Sequence, residues 1–356
     1  MGNRVMRAAS ALAVAATLLT GCTENFASAT PTPVDFKACL ISQGTSFNDG
    51  AASQLAYYGL LQSQAQFGTP TSAVELTDGA RASEIARAGR KLVSRGCRLV
   101  IGMGDNAASA LAPLANGNPG VRFAALGYLT PLAEGSLQGQ NLDPVSFDSK
   151  VAYLQAGYLA AAKSATGKVA VVAATGDASV LNALWYFRQG VFLYREASGK
   201  TVGMVGAAQA DPKTWTMLQL NATNNQVRRI TRKFLAQGAD VVMPLGVNGL
   251  VVAQQALAAG KLVIGTSSDW LSQSRFESVA SAVLASVVLP ISGAVADEVG
   301  RTMAANSSSA GFPTVTTYAA SLTDEGSVRW GDGVANALSK LASDYASGKL
   351  IVAQLP

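Results

Sequence analysis

Gly96-Cys97-Arg98-Leu99-Val100-Ile101-Gly102-Met103-Gly104 decides the fold of this chain. Its apolar run is too short for a helix, it ends on a glycine turn, and residues 106–115 then read as an amphipathic helix. The same strand-then-helix unit recurs on both sides. Strands are expected at 38–42, 72–76, 99–102, 122–126, 168–173, 201–205, 241–244 and 262–265. Helices are expected at 50–66, 81–95, 106–115, 147–164, 180–197, 221–237 and 249–259. Short, continuous apolar strands alternating with helices imply doubly wound parallel sheets flanked by helices, an α/β fold. About four strands lie on each side of residues 127–147, which predicts two lobes. The expected division is 37–127 plus about 270–315 for the first lobe and 128–269 for the second, with 316–356 packing back across both.

The first 22 residues, MGNRVMRAASALAVAATLLTGC, follow a different logic. Two early arginines precede an apolar stretch of about a dozen residues, well short of the roughly 20 that span a bilayer. Leu19-Thr20-Gly21-Cys22 reads as a lipobox, so residues 1–21 are expected to be a signal peptide and Cys22 the lipidated N-terminus. An ordinary signal peptide with an incidental cysteine is the alternative. Residues 22–36 then form the lipidated cysteine and a polar tether.

Composition narrows the chemistry. The 356 residues carry 27 basic and 22 acidic side chains, the basic ones scattered rather than striped, which gives no footprint for nucleic acid. Histidine is absent, removing the usual general base, the usual zinc ligand and any His-containing triad. No metal site or cofactor is expected. Besides Cys22 there remain Cys39 and Cys97. In an exported chain they form either a disulfide or two buried thiols, and the bridge requires their strands to be neighbours in a 2-1-3 order.

Ligands of open α/β sheets sit beyond the carboxyl ends of the strands. Those ends here read Gln43-Gly44-Thr45-Ser46, Gly102-Met103-Gly104-Asp105, Gly127-Tyr128, Thr175-Gly176-Asp177, Gly246-Val247-Asn248-Gly249 and Thr266-Ser267-Ser268-Asp269-Trp270. Glycine permits close backbone approach, and amides, hydroxyls and helix N-termini supply polar partners. Ordinary turns and N-caps have the same composition, but their joint occurrence in two lobes favours a clamshell that binds a small solute. The candidate contacts are Gln43, Asn48, Asp49, Asp105, Tyr128, Trp215, Asn248, Ser267, Asp269 and Trp270. Trp185, inside a helical stretch, reads as core.

The order of segments resembles the basic membrane protein family, lipoprotein solute receptors of ABC importers, several of which bind purine nucleosides. Ala38-Cys39-Leu40-Ile41-Ser42, then Asn48-Asp49, Gln54, Ala56-Tyr57 and Gly59-Leu60 are similar to its opening strand and helix. Gly96 to Gly104 resembles its G-C-x-x-I-x-x-G-F segment. Gly157-Tyr158-Leu159-Ala160-Ala161, Gln237-Gly238-Ala239-Asp240-Val241, Gly260 to Gly265 and Ser347-Gly348-Lys349-Leu350-Ile351-Val352 follow in family order. The resemblance implies a periplasmic-binding-protein-like clamshell, ABC permease and ATPase partners, and a monomer.

Departures fall at the family's nucleoside contacts. Ala52 stands where a stacking ring is usual, and Ser46-Phe47-Asn48 is displaced from that register. Gln43 and Ser267 replace aspartates, Leu289 a lysine and Asp105 a phenylalanine. Lost carboxylates weaken the case for a ribose, whose hydroxyls are costly to bury unpaired. Trp215 resembles the family's second ring, at a position where base stacking contributes about 1–3 kcal/mol.

The expected function is capture of a nucleoside or related solute by a lipid-anchored protein on the extracytoplasmic side of a cell membrane, with delivery to an ABC importer. A degenerate receptor acting as a sensor or adhesion lipoprotein is the alternative. A hydrolase built on Asp105 or Asp177 is a weaker third reading, because no clustered catalytic spacing accompanies them.

Overall fold

The computed structural model describes residues 36–43, 47, 51–77, 80–104, 106–127, 141–175, 178–209, 211–219, 222–306, 316–323 and 330–353. In chain order the first lobe begins with β1 (Ala38–Gln43), α1 (Ala52–Phe67), β2 (Thr71–Leu76), α2 (Ala82–Val93), β3 (Leu99–Met103), α3 (Ala107–Gly117), β4 (Arg122–Leu126) and β5 (Leu142–Asp148). Then come α4 (Lys150–Lys163), β6 (Lys168–Ala173), α5 (Ala178–Ser198), β7 (Gly203–Val205), α6 (Asn224–Ala236), β8 (Val241–Leu245), α7 (Gly249–Ala258), β9 (Leu262–Ser267) and β10 (Val283–Val288). The chain closes with α8 (Ile291–Asn306), β11 (Thr316–Ala319), β12 (Ser321–Thr323) and α9 (Asp332–Ala346).

Two six-stranded sheets result, in the orders β2-β1-β3-β4-β5-β11 and β7-β6-β8-β9-β10-β12. Every pairing is parallel except β10 with β12. Strands such as β3 and β8 are buried along their whole length, as the apolar runs require when helices cover both faces. Each sheet repeats the same winding and takes its sixth strand from the C-terminal segment. The chain therefore passes between the sheets three times, after Asp148, at Leu289-Pro290 and at Ala320, and Ala320 N–H donates to Asp148 O at 2.8 Å.

This topology corrects the lobe boundaries read from the sequence. Residues 142–148, assigned beyond 127 to the second lobe, form β5 of the first sheet. Residues 283–288, assigned to the first, form β10 of the second. The helix expected from residue 147 starts at Lys150, because Phe147 completes β5 against Tyr318 of β11.

β1 lies between β2 and β3, so Cys39 and Cys97 meet and form a disulfide with their Cα atoms 6.0 Å apart. Both are buried in the cluster that α2 and α3 press onto the first sheet. Closing a loop with a sequence separation of 58 is worth roughly 4 kcal/mol in the chain-entropy account.

In the second lobe α4 and α5 approach backbone to backbone. A Cβ placed on Gly157 would sit 1.9 Å from Phe187 O, and one on Gly190 1.9 Å from Leu154 O. Alanine normally favours a helix interior by about 1 kcal/mol over glycine. Here Gly157→Ala or Gly190→Ala is expected to lower stability by about 1–3 kcal/mol instead, since the two helices must separate. Denaturant midpoints of the two variants measure this.

Candidate functional site

Parallel pairing brings the carboxyl ends of all the first sheet's strands to one edge and those of β6 to β10 to one edge of the second. In the first lobe the end of β1 meets the end of β3. Gln43 is half-buried, its Nε2 donates to Met103 O at 3.4 Å, and its amide fills the space a side chain on Gly104 would occupy. Gly104 has φ 111, which only glycine adopts without strain. The end of β1 is tied to the first turn of α1 by two buried hydroxyls: Ser42 Oγ donates to Ser53 Oγ, and Ser53 Oγ donates to Gln43 O, both at 2.9 Å. Ser53 was absent from the sequence-derived contacts, although a hydroxyl in the first turn after a buried strand is the signal that marks it. Asn48, Asp49, Asp105, Tyr128 and Asp177 lie outside the described residues, as does Cys22.

The second lobe places Asn248 just after β8, Ser267 as the last residue of the neighbouring β9, and Asp269 just beyond it. Asn248 is exposed, and its Nδ2 donates to Asn224 Oδ1 at 3.1 Å, linking the N-termini of α6 and α7. Asp269 is half-buried and accepts from Leu271 N at 3.1 Å, an Asx turn rather than a helix cap. Ser267 has φ 71, the positive-φ non-glycine residue among the described residues. A left-handed serine costs of order 1–3 kcal/mol, and such strain concentrates at ligand clamps and switches. Its carbonyl accepts from Leu289 N at 3.0 Å, at the second passage between the sheets.

Both candidate tryptophans are buried. Trp270 is 2% exposed, its ring stacks on Phe276 with centroids 4.1 Å apart, and its Nε1 donates to Thr266 O at 3.1 Å. The chain after Ser267 folds back onto the sheet, so the ring fills a slot over Gly265 and Gly249, packing that needs no ligand. Trp215 is buried in the second lobe's cluster, stacked on Trp185 at 6.5 Å, with Nε1 donating to Gln209 O at 2.9 Å. Trp185 is core, as read from the sequence, and donates to Ala353 O at 2.7 Å.

A pocket of about 390 Å³ lies elsewhere, at the β11 edge of the first sheet, where Phe67, Asp297, Arg301 and Tyr318 line a recess at the start of β11. Among the described residues no group of acidic or cysteine side chains could hold a metal, and no helix is long and apolar enough to cross a membrane.

The profile of the Bmp family, described as "ABC transporter substrate-binding protein PnrA-like", matches residues 37–307. The chain belongs to the Bmp family. Its members are extracytoplasmic substrate-binding proteins, which gives this Bmp-family chain a small-molecule ligand and a place beside a transporter. Comparison with curated proteins finds no match. Among solved structures, a solute-binding protein of an ABC transporter system from Aeropyrum pernix K1 is similar at TM-score 0.70 and 16% identity, over 90% of this chain and 94% of that one. Another from Conexibacter woesei DSM 14684 has TM-score 0.67 and 18% identity, over 90% and 99%. A transcriptional activator of the comK gene from Bacillus halodurans has TM-score 0.65 and 17% identity, over 89% and 100%. At these identities the likeness shows the fold alone, and that fold carries both receptors and regulators.

Proposed function

We propose that this Bmp-family protein is held to the extracytoplasmic face of a membrane by a lipid on Cys22, captures a nucleoside or related solute between its two sheets, and hands it to an ABC permease and ATPase. The observation that carries the reading is Ser267. A strained residue ends β9 at the strand edge where ligands bind in open α/β sheets, it contacts a passage between the sheets, and it stands where the resembling family has an aspartate. Gln43, Asn248, Asp269 and Trp215 join it as proposed contacts, with Asn48, Asp49, Asp105 and Tyr128 in the adjoining loops. Closure follows when these groups touch the solute in the closed state and not in the open one. Replacement of two aspartates by Gln43 and Ser267 favours a solute with fewer vicinal hydroxyls than a ribonucleoside.

A thermal-shift screen against nucleosides, nucleobases, sugars, amino acids and small amines tests the reading. A ligand at about 100 times its Kd adds roughly 2.7 kcal/mol. A shift with one class identifies the solute; no shift with any of them favours the sensor or adhesion reading. Ser267→Gly then separates strain from contact. Relief of the left-handed serine is expected to raise stability by about 1 kcal/mol, while loss of the hydroxyl weakens binding of the solute found. Chemical denaturation and titration calorimetry on one sample read both.

A further inference from the structure

Asp143 on β5 and Glu298 on α8 are both fully buried. Arg301, one turn beyond Glu298, reaches each of them: its Nη2 is 3.0 Å from Asp143 Oδ2 and in contact with Glu298 Oε2. Its Nη1 donates to Thr316 Oγ1 of β11 at 2.9 Å. Arg122 of β4 adds a second positive charge beside the pair. On the outer side the Tyr318 hydroxyl of β11 donates to Asp297 of α8 at 3.2 Å. One guanidinium does not satisfy two buried carboxylates. Among the described residues Asp143 Oδ1 and Glu298 Oε1 have no hydrogen-bond donor, and Asp143 Oδ2 has only the Arg301 guanidinium beside it. A proton on Glu298, donated to Asp143, turns two facing acceptors into a bonded pair. Burial first, and the Asp143 charge second, hold that proton on Glu298 against the opposing pull of Arg301.

The three elements joined by this cluster are the ones that carry the three passages between the sheets. β5 ends at Asp148 immediately before α4, α8 follows Leu289-Pro290, and β11 runs through Ala320 into β12. The pocket at the start of β11 gives water a route to Arg301 from outside.

We propose that Asp143, Glu298 and Arg301 form a proton-dependent hinge anchor: by fastening β5, α8 and β11 to one another they make the three passages pivot as a unit. Loss of the shared proton sets two carboxylates against each other, and β11, a four-residue edge strand that pairs with β5 alone among the described strands, is released first. The inference rests on the two-lobed receptor reading, but its test needs no solute.

Nitroxides placed at Leu61→Cys on α1 and Leu257→Cys on α7, both exposed positions, report the distance between the lobes in the full chain carrying Cys22→Ser. The distance distribution is expected to be narrow at pH 6 and to broaden at pH 9. Glu298→Gln, which keeps a donor toward Asp143 at every pH, is expected to stay narrow at both. An unchanged wild-type distribution overturns the proposal, as does equal broadening of Glu298→Gln at pH 9. Should that variant fail to fold, the wild-type titration alone decides. Absence of solute binding in the screen would overturn the receptor reading without touching this result.

Discussion

Replacing Trp270 with alanine is expected to cost about 3–5 kcal/mol of stability, the range for removing a buried aromatic side chain, and to leave solute affinity unchanged in the molecules that remain folded. Glycine backbone lies against the ring at two points, and Phe276 stacks on it. A Cβ on Gly249 would lie 2.5 Å from its Cζ2, and one on Gly265 2.6 Å from its Cδ2, so the slot is shaped to the indole. Removal also abandons the stack on Phe276 and leaves Thr266 O without the indole donor. Trp270 N–H donates to Ser286 Oγ at 3.0 Å, a bond that fixes the loop after β9 to β10. Urea unfolding gives the stability, and titration with the solute from the screen gives the affinity. A loss of affinity beyond the unfolded fraction, with little change in the urea midpoint, would return Trp270 to the ligand site. Gly265→Ala is expected to mimic the destabilisation from the opposite side, because the added methyl meets both the ring and Ser286 Oγ, 2.8 Å away.

Trp270 also marks where sequence reading stops. Periodicity locates a strand end, and the residue three positions beyond Ser267 therefore looked like part of a cleft. Which way a loop turns next depends on what receives it. The receiving surface includes two glycines, on β9 and at the start of α7, that only the folded sheet brings together. An isolated glycine inside an apolar strand is itself a signal of close approach, and Gly265 carried it. β5 was missed for a different reason: Asp143-Pro144 interrupts the apolar run, and both an acid and a proline argue against a strand within a sheet. The acid is tolerated because Arg301, far along the chain, reaches it. By contrast β1, β3, β6 and β8 were legible because strands buried on both faces need unbroken apolar side chains. The order of β2, β1 and β3 then brought Cys39 to Cys97. The recurrence of one winding in two sheets was legible as well. That 316–356 packs back across both lobes was expected, but the strands β11 and β12 were not, since strands of four and three residues carry little periodic signal.

The buried pair makes stability depend on pH in a direction opposite to that of most carboxylates. Glu298 is raised from 4.5 to about 8, by burial first and by the Asp143 charge second, with Arg301 opposing, and Asp143 is raised as well, chiefly by burial. A carboxyl whose folded pKa is raised binds its proton more tightly in the native than in the unfolded chain. Its contribution is fully present below the unfolded value of 4.5 and is lost as pH rises through about 8. Each tenfold difference in proton affinity between the folded and unfolded chain corresponds to about 1.36 kcal/mol, so the stability lost across that window is on the order of a few kcal/mol. Melting temperature is therefore expected to fall steadily from pH 5 to pH 9. Glu298→Gln should match the wild type near pH 5, because the amide supplies the same donor, and should hold its melting temperature to pH 9. Glu298→Ala should be destabilised at every pH, since it leaves Asp143 without that donor and opens a cavity beside Arg301. A wild-type profile that rises or stays flat over this range, or a Glu298→Gln profile that falls in parallel with it, would remove the shared proton from the account.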